Sequence, residues 1–231
     1  MTAVSAPAEA VLDNPIWTSL TGAHAHLAVI HGLAGRYPDD VAQFYALADP
    51  ADPRAWADLA ELTGPGAEVA LPGEASAPDG WARVDEIAGV QLIDVALRAR
   101  PDAEALRLTA ADVPEMLDLV ERTRPGPFRP RTIELGTYLG IWRGGRLVAM
   151  AGERMHPPGW TEISAVCTDP AFRGQGLATR LIRAVAAGIR ARGENPFLHT
   201  AAANTPAIRL YESLGFRLRK RTTFARYRAL R

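Results

Sequence analysis

The stretch that decides the reading is EISAVCTDPAFRGQGLATRLIRAVAAGIRAR, Glu162 to Arg192. It opens on a β-rich run, Glu162 to Thr168, and passes into a helix over Gly174 to Arg192, where Leu177, Leu181, Val185 and Ile189 fall at helical spacing and the arginines lie on other faces. At the junction stands Arg173-Gly174-Gln175-Gly176-Leu177-Ala178, followed by Thr179. Two glycines at a helix N-terminus leave backbone N–H groups unobstructed by Cβ, and with the helix dipole those groups suit a pyrophosphate. Arg173 adds a charge-assisted contact. A plain turn of this composition would look the same, so the flanking elements have to decide.

Two rival phosphate motifs fail on the residues themselves. A dinucleotide fingerprint needs a third glycine where this chain has Thr179, and a P-loop needs a lysine where the chain's one lysine is Lys220. Neither G-x-S-x-G nor H-E-x-x-H occurs.

Working outward, the C-terminal side reads as a strand over Pro196 to Thr200, Asn204 as an N-cap, a helix over Thr205 to Leu214 stopping at Gly215, and strand-like segments at Phe216 to Arg219 and Thr222 to Tyr227. On the N-terminal side, Leu106 to Leu108 is a strand, and Thr109 with Asp112 starts a helix carrying Val113, Met116, Leu117 and Val120. Thr137 to Trp142 and Leu147 to Ala151 flank the hairpin signal Gly144-Gly145. The order is β-α-β-β-β-α-β, an α+β fold with a mixed, mainly antiparallel sheet flanked by helices. Earlier in the chain, helical spacing appears around Ile16 to Leu33, Val41 to Leu47 and Arg54 to Leu62, and Glu68 to Leu71 and Val90 to Leu97 read as strands. With Arg98 to Ala103 as a boundary, the chain divides into a flexible start at 1–10, a smaller α/β lobe at 11–100 and a second lobe at 104–231.

These motifs, in this order, resemble the GNAT superfamily of N-acetyltransferases over residues 105–231. The family's pyrophosphate pattern [QR]-x-x-G-x-[GA] is met by Arg173, Gly176 and Ala178, preceded by EISAVCTDP and followed by Asn204 and LYESLGF at Leu210 to Phe216. NPIWTSLTG at Asn14 to Gly22 is similar to the N-terminal lobe of a two-lobed subgroup, in which that lobe is a degenerate half of the same fold. That subgroup reads C-T-H-P where this chain reads Cys167-Thr168-Asp169-Pro170.

The resemblance implies acetyl-CoA as acyl donor and a small-molecule or peptide amine as acceptor. Arg173, Gly174, Gln175, Gly176, Leu177, Ala178 and Thr179 would hold the pyrophosphate. Val166, Cys167 and Thr168 would form the strand edge that pairs with the pantetheine arm, the Val166 N–H serving as oxyanion donor, and Asn204 would bond the pantetheine. Tyr211 within LYESLGF is the expected general acid, its phenol carrying a proton at neutral pH. Glu162 is the candidate base, with Glu153, His199 and a water chain as competitors. The alternatives are a transferase of a longer acyl group and a non-catalytic module that binds or senses acyl-CoA.

Composition bounds the remaining choices. The chain has 231 residues, 48% hydrophobic and 23% charged, which suits a globular core rather than disorder. The lone Cys167 excludes a disulfide framework and points to a reducing, cytoplasmic compartment, with Cys167 itself a small buried hydrophobe. Neither a leader pattern nor a membrane span is expected. No metal is expected at His24, His26 and His31, and no nucleic-acid partner, since the densest basic cluster, Arg217 to Arg221, lacks interleaved aromatics. The oligomeric state is not legible. Residues 1–100 carry five arginines against fourteen acids, a balance of −9, and the remainder carries +9. That asymmetry predicts an acceptor cleft between the halves whose acids attract a cationic amine.

Overall fold

The structure is a computed structural model and describes residues 8–73 and 76–230. Its helices are α1 (Pro15–Leu20), α2 (Pro53–Thr63), α3 (Val113–Thr123), α4 (Leu177–Ala191) and α5 (Thr205–Leu214). Its strands are β1 (Val29–His31), β2 (Ala34–Arg36), β3 (Tyr45–Leu47), β4 (Glu68–Pro72), β5 (Trp81–Asp94), β6 (Leu106–Arg107), β7 (Tyr138–Arg143), β8 (Arg146–Glu153), β9 (Trp160–Thr168), β10 (Asn195–Ala201) and β11 (Phe216–Ala229). Eight strands form one sheet in the order β4-β11-β5-β10-β9-β8-β7-β6, and β1-β2-β3 form a separate small sheet. Within the large sheet only β9 and β10 run parallel.

Local chemistry accounts for the elements of the second half. Thr109 and Asp112 close a reciprocal capping box ahead of α3, the Gly144-Gly145 turn joins β7 to β8, and Asn204 Oδ1 accepts from Ala207 N at 3.4 Å to cap α5. The apolar stripe of α4, Leu177, Leu181, Val185 and Ile189, packs on Ile141, Val148, Ile163 and Leu198 of the sheet. The opposite face is covered by the first half: Leu12, Ile16, Leu20 and Tyr37 pack on Ile93, Met155, Trp160 and Phe197. Strand alternation therefore buries Leu92 and Leu198 on one side and Ile93 and Phe197 on the other.

The first half does more than cover the sheet. Its strand β5 lies between β10 and β11, in register with Phe197↔Ile93 on one side and Arg217↔Ile93 on the other. The boundary read at 98–103 is the link from β5 to β6, and the backbone pairing of the large sheet crosses it.

Several expectations for the first half are corrected. Helix at Ile16 to Leu33 is confined to α1 and a 3-10 turn at Ala25–Leu27, because Gly22 and the strand β1 interrupt the pattern. Val41 to Leu47 is not helical: it crosses from a turn into β3, held by pairing with β2. Of Val90 to Leu97, only Val90 to Asp94 are strand, the end of a much longer one starting at Trp81, while Val95 to Leu97 lie beyond it; at the C-terminus the two strand-like segments are one strand, β11, with a bulge between Leu218 and Lys220. Of the flexible start at 1–10, residues 1–7 lie outside the described residues, while Glu9–Asp13 form a 3-10 turn and Glu9 pairs with Arg219. Among the described residues no helix is long and apolar enough to cross a membrane.

Candidate active site

β9 and β10 pair only from Asn195↔Trp160 to Phe197↔Glu162. Beyond that point β9 continues to Thr168 and β10 to Ala201, each held on its far side by β8 or β5, so their facing edges separate into a V. Edge N–H and C=O groups inside the V need partners, which makes it a slot for an extended, amide-bearing chain. On β9 the register passes from Gly152↔Ser164 to Met150↔Cys167, leaving Ala165 and Val166 opposite Ala151. Ala165 has φ 52°, a left-handed conformation costing a non-glycine residue about 1–2 kcal/mol. Such a bulge takes one residue out of the ladder and re-aims it.

At the mouth of the V stands the start of α4. Gly174 and Gly176 both have positive φ, 77° and 73°, and a Cβ at either would meet nothing within 4 Å, so the cradle is open. Arg173 is exposed beside it, its Nε donating to the Thr168 carbonyl at 3.4 Å. A cleft of about 1070 Å³ joins these parts. Val166, Cys167, Thr168, Arg173, Gly174, Gly176, Leu177, Ala178, Thr179, Asn204, Glu162 and Tyr211 all line it, whereas Gln175 does not and lies exposed on the turn. Thr168 Oγ1 is buried there without a partner.

Tyr211 on α5 is buried, and burial pushes its phenol up to about 12, so it holds its proton firmly. The Cys167 thiol is pushed up to about 11 by burial, partly offset by a hydrogen bond with Thr123, which makes it a packed thiol rather than a nucleophile. His24 is buried, with Nδ1 on the Tyr37 hydroxyl at 2.8 Å and Nε2 on the Leu135 carbonyl at 3.1 Å.

Glu162 stands differently from its expected role as base. It is fully buried, and although burial alone raises a carboxyl, Arg154 and His199 outweigh it and hold the group well below the usual carboxylate range. Arg154 grips it with two bonds, Nη2 to Oε1 at 2.6 Å and Nε to Oε2 at 2.8 Å, and His199 Nδ1 donates to Oε1 at 2.7 Å. So committed a carboxylate is a poor acceptor for an ammonium proton. The relay continues: Gln91 Nε2 donates to His199 Nε2 at 3.0 Å and to the Leu12 carbonyl at 2.8 Å, while Gln91 Oε1 accepts from Arg219 at 2.8 Å. With the amide fixed at both ends, Gln91 donates to His199 Nε2 while His199 Nδ1 donates to Glu162.

Sequence reading missed Arg154, Gln91 and Phe224, all of which line the cleft. The available signal was Gln91, a polar residue inside the apolar run Val90 to Ile93. Arg124 to Pro127, after α3, line the cleft, whereas His156 to Trp160, between β8 and β9, do not; His156 turns instead toward His24, with ring centroids 4.9 Å apart. The acids expected in the cleft are there, as Asp13 and Asp85, but each is ion-paired, Asp13 with Arg219 at 3.1 Å and Lys220 at 3.2 Å, and Asp85 with Arg226.

A mainly antiparallel sheet opened between two parallel strands, with a glycine-lined helix start at the opening, offers one cleft to an extended amide-bearing chain and an anionic group. Comparison with known proteins makes the class specific. A sequence profile described as FR47-like protein matches residues 138–225. The mycothiol acetyltransferase of Corynebacterium glutamicum is 38% identical over 79 residues, 34% of this chain and 27% of its own length. The N-alpha-acetyltransferase RimI of Mycobacterium tuberculosis is 38% identical over 82 residues, 34% of this chain and 51% of its own length. The matches thus span about a quarter to a half of these curated relatives. A crystal structure of a GNAT-family protein from Novosphingobium aromaticivorans superposes with a TM-score of 0.85 at 43% identity, covering 94% of this chain and 97% of that one. The chain belongs to the GNAT family.

Proposed function

We propose that this protein transfers an acetyl group from acetyl-CoA to a primary amine by direct attack. The observation that carries the reading is the meeting, in one cleft, of the β9–β10 opening and the open glycine cradle at the start of α4. The amides of Gly174 to Thr179 and the Arg173 guanidinium receive the pyrophosphate. The facing edges of β9 and β10 pair with the pantetheine amides, and Asn204, already capping α5, borders that arm. At the bulge, the Val166 N–H donates to the thioester carbonyl oxygen, where negative charge develops.

The amine nitrogen forms the new C–N bond, the C–S bond breaks and the thiolate leaves, while the nitrogen, cationic after attack, gives a proton to water to become the amide. No free side-chain base lines the cleft among the described residues: Glu162 is bound by Arg154, and the His199 Nε2 lone pair accepts from Gln91. The ammonium therefore gives its proton to water before attack, and Glu162 serves as the buried anion that orients Arg154 and His199.

Tyr211, which lines the cleft, is the proposed hydrogen-bond donor to the departing sulfur. Complete proton transfer from a phenol at about 12 to a thiolate whose conjugate acid lies near ~8.5 is uphill, so its contribution is a hydrogen bond rather than full acid catalysis. Tyr211→Phe is accordingly expected to lower kcat about tenfold, less than the 10²–10⁴ typical of a general acid, with melting temperature and CoA affinity unchanged. Unchanged turnover would reduce Tyr211 to packing. Absence of CoA release by the wild-type protein with every amine tried would leave acyl-CoA as a bound ligand only.

A further inference from the structure

We infer that the acceptor is a primary amine carried on an apolar body, recognised between Phe44 and Phe224; this deepens the acetyl-transfer reading and rests on it. The acceptor side of the cleft is floored by one face of β10, β5, β11 and β4. Ile87, Gly89 and Gln91 alternate along β5, in register with Phe224, Thr222 and Lys220 of β11. Ile87 is 60% exposed within this trough, an apolar surface still to be covered.

Charge complementarity argues against a polycationic acceptor. Three described carboxylates line the cleft, and each already has its cation: Asp13 has Arg219 and Lys220, Asp85 has Arg226, and Glu162 has Arg154. A second ammonium on the acceptor would have to displace a guanidinium or ammonium the protein itself supplies. An apolar body needs no counter-ion and would cover surface that water now wets.

The two aromatic rings are held ready for such a body. The Arg154 guanidinium lies over the Phe44 ring, 5.0 Å from its centroid, and the Phe224 ring stands edge-on to His199 at 5.9 Å. Arg154 and His199 share the Glu162 carboxylate, so the rings are fixed at the two ends of one hydrogen-bonded relay. Position 89 has to be glycine for this arrangement, since a Cβ there would sit 2.5 Å from the Phe224 ring. Both rings remain only half-buried. Pre-fixed aromatics lose little freedom when a ligand packs on them, which favours selectivity for apolar shape.

The test uses the intact protein with saturating acetyl-CoA and four acceptors: phenethylamine, hexylamine, putrescine and ethanolamine. The expected result is a kcat/KM at least about tenfold higher for phenethylamine and hexylamine than for the other two. Phe224→Ala is expected to narrow the phenethylamine-to-putrescine ratio severalfold, with acetyl-CoA affinity as the check that the fold is intact. Putrescine or ethanolamine used as well as the apolar amines would overturn the assignment, as would a ratio untouched by Phe224→Ala. Acetylation of none of the four would overturn the transfer reading, and this proposal with it.

Discussion

A chain made of residues 104–231 alone is expected to show no cooperative thermal transition, although it carries every residue assigned to acyl-CoA. Its sheet would lack β5, which pairs with β10 through Gly89 to Ile93 and with β11 through Trp81 to Asp94. Phe197 and Leu198, fully buried in the intact protein, would lose their neighbours on that strand. Removing a single side chain of this kind costs about 2–5 kcal/mol, against a total stability of roughly 5–15 kcal/mol for a domain. Circular dichroism melts of 104–231 and of the full chain make the comparison. Restoration of the transition on adding residues 8–103 as a separate chain would support this account, and a cooperative melt of 104–231 alone would contradict it.

The second large effect is expected at the helix start. Gly176 caps α4 with φ 73°, and its Cβ direction opens into the cleft. Gly176→Asp adds a side chain, left-handed strain and, most costly, a negative charge where the pyrophosphate meets the helix N-terminus. CoA affinity measured by calorimetry is expected to fall at least about thirtyfold, near 2 kcal/mol. Gly176→Ala, which brings strain without charge, is expected to cost only severalfold. Affinity within a factor of two of wild type in Gly176→Asp would put the pyrophosphate elsewhere.

How much of this was legible in the sequence depended on whether the signal was local. The capping box at Thr109, the Gly144-Gly145 hairpin and the apolar stripe of α4 are set by neighbours a few residues apart, and all three are found. The N-terminal stretch of β5 was not legible: Arg83 to Ala88 are exposed on both faces, so no alternation marks them as strand. Val41 to Leu47 carries helix-like spacing, yet Tyr45 to Leu47 are claimed by pairing with β2. At the site, the run from Glu162 to Thr179 is contiguous, so its strand and its glycine-lined helix start could be read directly. The relay of Arg154, Glu162, His199 and Gln91 comes from three strands, β9, β10 and β5, and the residue that follows β8, and no spacing announces it.

The charge asymmetry between the halves appears in the structure as a seam of ion pairs. Acids of the first half are paired with bases of the second along the seam: Asp13 with Lys220, Asp40 with Arg131, Glu68 with Arg228, Asp85 with Arg226 and Asp94 with Arg190. Apart from Asp94, whose carboxylate is buried, both partners of these pairs are substantially exposed and such pairs are worth little each, but they leave little net charge on the acceptor side to attract a cation.

The central claim is that acetyl-CoA and an amine meet in the β9–β10 cleft and react directly. Initial rates of CoA release, measured across a grid of acetyl-CoA and phenethylamine concentrations with the product identified by mass, test it most directly. The account predicts one N-acetylated amine per CoA released, intersecting reciprocal plots, and rates that rise with pH as the free amine does. Parallel plots with an acetylated protein, or acetyl-CoA binding without acetylation of any amine, would contradict it.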